Sequence, residues 1–202
     1  MQQSQSHDVV KNKKTINPQM KLVIGIGGAS GSIYARVLLQ FLQSKLELET
    51  HVVMSENAEY NWKLENPGHD IAHYPFQFYQ NKDFTAGFAS GSGKFDAMII
   101  CPCSAGLMGR IANGISDDLM TRAADVMLKE RKKLVIVLRE TPLQLIHIEN
   151  MKQLTLAGAI ICPAIPSFYS NPQTMDDVAK TVSLRALELV GIDTQSYQWG
   201  RK

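Results

Sequence analysis

Three apolar runs of strand length, Leu22–Ile26, Ala97–Cys101 and Leu134–Leu138, constrain the fold of this chain more than any other feature. None alternates with polar residues. A strand wet on one face alternates; a strand covered on both faces does not, and such strands belong to parallel sheets packed between helices. The segments between them carry the apolar spacing of helices: Gly31–Lys45, Asn57–Glu65, Ala105–Ala112, Asp117–Arg131, Leu143–Ala157 and Asp176–Val190. Pro67-Gly68, Gly158 and Gly191 supply stops. Thr50–Met54 and Ala159–Cys162 read as further strands. Strands alternating with helices predict an α/β fold of three layers, α/β/α, around a mostly parallel sheet.

At 202 residues and 45% hydrophobic content, the chain can fill one core. Residues 1–18 are polar and bury too little to offset their ordering entropy. They read as an arm, flexible or ordered only against a neighbouring subunit, leaving 19–202 as a single domain. A formal charge of +2, with no basic stripe interleaved with aromatics, argues against nucleic acid. Three cysteines, an odd number, make no disulfide framework and fit a reducing, cytoplasmic setting. No apolar run is long enough to span a membrane, and no apolar signal core stands near Met1. Cys101 and Cys103 lack a second pair, and His69 and His73 lack a third ligand, so no metal site is expected.

The turn Gly25-Ile-Gly-Gly-Ala-Ser-Gly31 joins the first strand to the first helix. Glycine lets a ligand approach the main chain, and a helix N-terminus offers free N–H groups to a phosphate. Ser30 stands where a cap hydroxyl is expected. The alternative is a plain tight turn, because Ser30 replaces the third glycine of the dinucleotide fingerprint. Ser55, Ser104, Arg139-Glu140 and Phe168-Tyr169 likewise follow strands. In a Rossmann-like parallel sheet all these ends face one rim, where ligands bind.

A family is recognisable in Gly27-Gly-Ala-Ser-Gly31 with Tyr34, Cys101-Pro-Cys-Ser104, Thr121-Arg-Ala-Ala-Asp-Val126 with Leu128-Lys-Glu-Arg131, and Leu138-Arg-Glu-Thr-Pro142. His147-x-Glu-Asn-Met151, Pro166-x-Phe-Tyr169 and Pro172-Gln173 complete the set. From about residue 20 to 200 the chain resembles the UbiX-type flavin prenyltransferases. The resemblance implies strand order 3-2-1-4-5-6, with Phe76–Tyr79 as strand 3, and a dodecamer with sites at subunit interfaces. It implies binding of reduced FMN and dimethylallyl phosphate, and prenyl transfer to flavin N5 and C6. The product, prenylated FMN, would serve a UbiD-type decarboxylase, and no metal would be needed. The competing readings are a non-catalytic FMN-binding or delivery protein and a dinucleotide oxidoreductase.

By the same resemblance, Ser30, Glu65 and Glu140 are the catalytic residues. Gly28, Ala29, Ser30, Ser55, Ser104, Ala105, Gly106, Leu107 and Arg139 would hold FMN. Lys129, Tyr169 and Arg185 would hold the prenyl phosphate, with Arg122 reaching a neighbouring subunit and Phe84 and Trp199 around the prenyl group. The chemistry suits these types: a hydroxyl and carboxylates to manage protons, cations and a phenol for a phosphate, π faces for an allylic cation. Simpler readings stand beside them: a surface glutamate for Glu65, an ion pair for Arg139, solvated helix faces for Lys129 and Arg185, and packing for the aromatics. Glu56 departs from the lysine many relatives carry, so no role is assigned to it.

Overall fold

The computed structural model describes residues 20–196 and Gly200; the arm at residues 1–18 and Trp199 lie outside them. The strands are β1 (Met20–Ile26), β2 (Leu48–Met54), β3 (Gln77–Gln80), β4 (Ala97–Cys103), β5 (Lys133–Leu138) and β6 (Ile160–Ile161). They form one parallel sheet in the order β3-β2-β1-β4-β5-β6, as the resemblance implied. The helices are α1 (Ser32–Leu42), α2 (Glu56–Glu65), α3 (Ala105–Ala112), α4 (Leu119–Lys129), α5 (Leu145–Ala157) and α6 (Met175–Val190).

The apolar runs are buried on both faces. Leu22, Ile24 and Ile26 of β1 pack with Leu38, Leu39, Ala186 and Leu187 of α1 and α6. Val23, with Met98 and Ile100 of β4, packs toward Met108, Met120 and Ala124 of α3 and α4. Full burial of each such side chain contributes about 1.5–3 kcal/mol, which leaves no place for a polar residue inside the runs. β4 carries one irregularity. Ile100 pairs with Ile136, but Cys103 pairs with Leu138, so β4 holds one residue more than β5 over that interval. Pro102, which cannot donate to a ladder, falls within this bulge. The extra residue turns Cys103 to the face of Met98 and Ile100 rather than that of Ile99 and Cys101. Both thiols are fully buried, and burial raises them, Cys103 to about 12.

Several boundaries move from the sequence reading. The first helix stops at Leu42 rather than Lys45, and the fourth spans Leu119–Lys129 rather than Asp117–Arg131. Asp118 is the reason for the later start: its carboxylate accepts from the Thr121 N–H while its own N–H donates to the Thr121 hydroxyl. The last strand shrinks to Ile160–Ile161. Ser30 is not the cap of α1. That place belongs to Gly31, in the left-handed region at φ 96°, and no cap side chain bonds there. The free N–H groups of α1 are satisfied by Glu65, from the far end of α2.

α5 is the anomaly among the helices. Only Asn150 and Leu154 are buried, while Leu145, Ile146, Ile148 and Leu156 are 70%, 64%, 47% and 79% exposed. Among the described residues, no helix is long and apolar enough to cross a membrane, and no group of three or more His, Cys, Asp or Glu is placed to hold a metal ion.

Candidate functional site at the carboxyl rim

All strands being parallel, their carboxyl ends share one rim. The loops after β1, β2 and β4 enclose a cavity of about 390 Å³, lined by Gly27, Gly28, Ser55, Ser104, Gly106 and Leu107. Two helices start here. Ser55 caps α2 by accepting from the Ala58 N–H at 3.2 Å, and Ser104 caps α3 by accepting from the Leu107 N–H at 3.2 Å. Each cap spends one hydroxyl lone pair and leaves the other helix N–H groups toward the opening.

The glycine turn seals the floor. The Gly27 N–H donates to the Pro102 carbonyl at 3.0 Å, tying the end of β1 to the bulge of β4. A Cβ on Gly27 would lie 2.6 Å from that carbonyl oxygen. Gly27→Ala is therefore expected to break the bond, lower stability by about 1–3 kcal/mol and weaken flavin binding, read by thermal unfolding and flavin titration.

Ser30 stands exposed beyond the turn, and its carbonyl accepts from Arg139 Nε at 2.9 Å. The Arg139 N–H in turn donates to the Cys103 carbonyl at 2.9 Å. Arg139 thus bridges the ends of β1, β4 and β5, and it forms no carboxylate ion pair among those described. Glu140 follows at the same strand end, with Oε1 accepting from the Thr141 N–H at 3.2 Å.

Glu65 is held by convergent donors. Its Oε2 accepts from the N–H groups of Gly31 and Ser32 at 2.8 and 2.7 Å and from the Ser32 hydroxyl at 2.8 Å. Burial alone would raise its carboxyl; hydrogen bonds from Ser30, Ser32 and Gly31 outweigh that and lower it. It is neither a solvated surface glutamate nor unfavourably placed in the helix field, since it faces the positive end of α1.

A second cavity, about 740 Å³, lies where the loop after β6 meets α6, lined by Tyr169, Arg185, Lys180, Asp177 and Glu188. Its cations are already matched: Arg185 Nη1 lies 3.1 Å from Glu188 and Lys180 Nζ lies 2.8 Å from Asp177. In strand order the two cavities flank Arg139.

The predicted residues therefore divide. Gly28, Ser55, Ser104, Gly106 and Leu107 line the first cavity, and Tyr169 and Arg185 the second. Ala29 and Ala105 are buried behind the turn and the start of α3. Ser30, Glu65, Arg139 and Glu140 stand at the strand and turn ends described above without lining either cavity, and Lys129, Arg122 and Phe84 line neither. Lys129 ends α4 just before β5 begins, at the amino rim, paired with Glu130 at 3.4 Å. Arg122 bonds the Ala89 carbonyl and Asp125, and Phe84 is exposed on the loop after β3. The sequence reading missed Asn57, Asn81, Arg110, Asp118 and Met120, which complete the first cavity. Arg110 is pinned between Asp117 and Asp118 at 2.7 Å each. Asn57, two places after Ser55, and Asn81, directly after β3, lay close enough to strand ends to be noticed.

Comparison with known proteins gives the family. Residues 10–188 match the flavoprotein family. The chain is 40% identical to flavin prenyltransferase UbiX of Methanocaldococcus jannaschii over 90% of its length and 99% of the relative's. The crystal structure of AnUbiX (PadA1) in complex with FMN and dimethylallyl pyrophosphate superposes with TM-score 0.86 at 38% identity, over 91% of this chain and 98% of that one. A dodecameric FMN-dependent UbiX-like decarboxylase from Escherichia coli O157:H7 gives TM-score 0.84 at 41% identity, over 89% and 99%. With its 3-2-1-4-5-6 sheet and these similarities along nearly its whole length, the chain belongs to the UbiX-type flavin prenyltransferases.

Proposed function

We infer that this chain joins a dimethylallyl group from a dimethylallyl phosphate to N5 and C6 of reduced FMN. The observation that carries the reading is the order of groups after the strand ends: a glycine-floored cavity after β1, β2 and β4, a carboxylate–hydroxyl pair beside the β1 turn, an arginine after β5 bonded to the Ser30 carbonyl, and a cation–phenol cavity after β6, in a chain similar throughout to named flavin prenyltransferases. The first cavity fits the flavin. Its floor has no Cβ to spare at Gly27 or Gly28, and the starts of α2 and α3 present N–H groups to an anion. Arg139 offers planar donors to a flavin carbonyl or a phosphate.

In the reaction the allylic C–O bond breaks and the phosphate departs, bonds to N5 and C6 form as the N5 and C6 protons leave, and the central carbon of the prenyl double bond gains one proton, so that the flavin gains C5H8. Ser30 and Glu65 are the pair for one proton. Glu65, an anion by its donors, accepts from the Ser30 hydroxyl, so the lone pairs of Ser30 face the ligand. Glu140 takes the other, passing it on through the departing phosphate. Tyr169 and Arg185 hold that phosphate, and charge placed against it helps the C–O bond break.

The second cavity's own charges cancel, so a dianion needs a further cation. Lys129 supplies it from another copy, since it stands at the opposite rim of its own chain. The exposed apolar residues of α5 are the surface we assign to contact between copies, in a homo-oligomer of dodecameric type. Ile146→Glu is expected to yield smaller species in light scattering and to lower activity with them. The prenylated flavin passes to a UbiD-type decarboxylase. A non-catalytic carrier would need neither Glu65 nor Arg185.

The direct test is mass spectrometry of flavin after anaerobic incubation of the protein with reduced FMN and dimethylallyl phosphate. A flavin heavier by one C5H8 unit is expected. Unchanged flavin mass with both ligands saturating would overturn the reading.

A further inference from the structure

A buried arginine stands behind the site. Arg36, on α1, has a side chain only 8% exposed. A guanidinium out of water is costly unless its donors are matched, and here they are. Its Nη1 and Nη2 grip the Asp176 carboxylate at the start of α6, with Nη1 at 2.9 Å from Oδ2. Its Nε donates to Asn66 Oδ1 at 2.9 Å. Asn66 is 4% exposed, and its Nδ2 donates to the Ser32 hydroxyl at 2.8 Å. That hydroxyl lies 2.8 Å from Glu65 Oε2 and 3.5 Å from the Asn61 carbonyl.

The chemistry of the groups gives this line a direction. Arginine can only donate, so Asn66 must turn its oxygen to Arg36 and its NH2 to Ser32. The Ser32 oxygen, already accepting, must send its hydrogen elsewhere, and Glu65 is the nearer acceptor. Asp176, Arg36, Asn66 and Ser32 therefore end on the carboxylate that meets Ser30.

We propose that Arg36 and Asn66 are positioning residues for prenyl transfer. They orient the Ser32 hydroxyl so that Glu65 is presented to Ser30 purely as an acceptor. A helix-to-helix tie would need only the Arg36–Asp176 pair; the Asn66 relay to Ser32 adds nothing to that tie and gives Glu65 a fixed orientation. The proposal rests on the role given to Glu65 above.

Asn66→Asp separates the two functions. It keeps an acceptor toward Arg36 and removes the donor toward Ser32. We expect unchanged FMN affinity, an unchanged KM for dimethylallyl phosphate, and kcat lower by on the order of tenfold, with the thermal midpoint measured alongside so that the cost of the new buried carboxylate is read apart from kcat. In a Glu65→Gln background the same substitution is expected to lower kcat no further, because its effect passes through Glu65. Ser32→Ala, which removes the hydroxyl itself, should show the same loss and the same lack of additivity, and it stands in if Asn66→Asp does not fold. Wild-type kcat in Asn66→Asp and Ser32→Ala overturns the proposal and leaves Glu65's role standing. So does a loss that persists in full beside Glu65→Gln. Wild-type kcat in Glu65→Gln sinks the role of Glu65, and the positioning line with it.

Discussion

Arg185→Ala is expected to lower kcat/KM for dimethylallyl phosphate by on the order of a hundredfold, with FMN affinity unchanged. Arg185 lines the cavity with Tyr169, and its guanidinium is held 3.1 Å from Glu188. Removing it does more than delete a donor. Glu188 is left facing the incoming phosphate without its counter-charge, so repulsion adds to lost attraction. The side chain is 60% exposed, and an exposed i,i+3 pair contributes no more than about 0.5 kcal/mol to folding. The thermal midpoint should therefore hardly move. Single-turnover mass spectrometry beside an FMN titration reads both quantities. A variant with wild-type kcat/KM would place the phosphate in some other cavity.

Glu65→Gln has the second large effect, and it acts on both rate and stability. We expect kcat to fall by on the order of 10²–10³, since a proton acceptor is lost. The amide oxygen can stand where Oε2 meets the Gly31 N–H, the Ser32 N–H and the Ser32 hydroxyl, but it carries no charge, so these bonds weaken, and the NH2 replaces the second carboxylate oxygen. The start of α1 should loosen by about 1–2 kcal/mol, the usual worth of a helix cap. The pH dependence has a definite sign. The folded-state carboxyl lies below its ordinary value because hydrogen bonds outweigh burial. Its contribution is complete above the unfolded pKa of about 4.3 and is lost as pH falls through the lowered folded value. The stability gap between wild type and Glu65→Gln should thus close under acid and stay constant toward neutral pH.

What the sequence disclosed depends on how local the cause is. The β1, β4 and β5 runs declared themselves because burial on two faces leaves its mark on consecutive residues. Ser55 and Ser104 were legible for the same reason, each being the cap of the helix it precedes. Ser30 misled because the group that satisfies α1 comes from Glu65, 33 to 34 positions away. Arg36 gave no sign at all. It reads as a polar helix position, and its partner Asp176 stands 140 residues further on. Lys129 and Tyr169 were grouped by resemblance, and one chain cannot bring them together, because α4 carries Lys129 to the other rim. Motifs record which residues a family groups together; they do not record which rim of one chain each residue reaches.

The surplus residue in β4 has a wider consequence. It acts as a change of phase within a single strand. Positions up to Ile100 keep one register against β5 and Cys103 keeps another, both inside the core, with the Pro102 carbonyl between them tied to Gly27. A single residue step thus joins the floor of the opening to the interior, so a change at Pro102 would be felt on both sides at once.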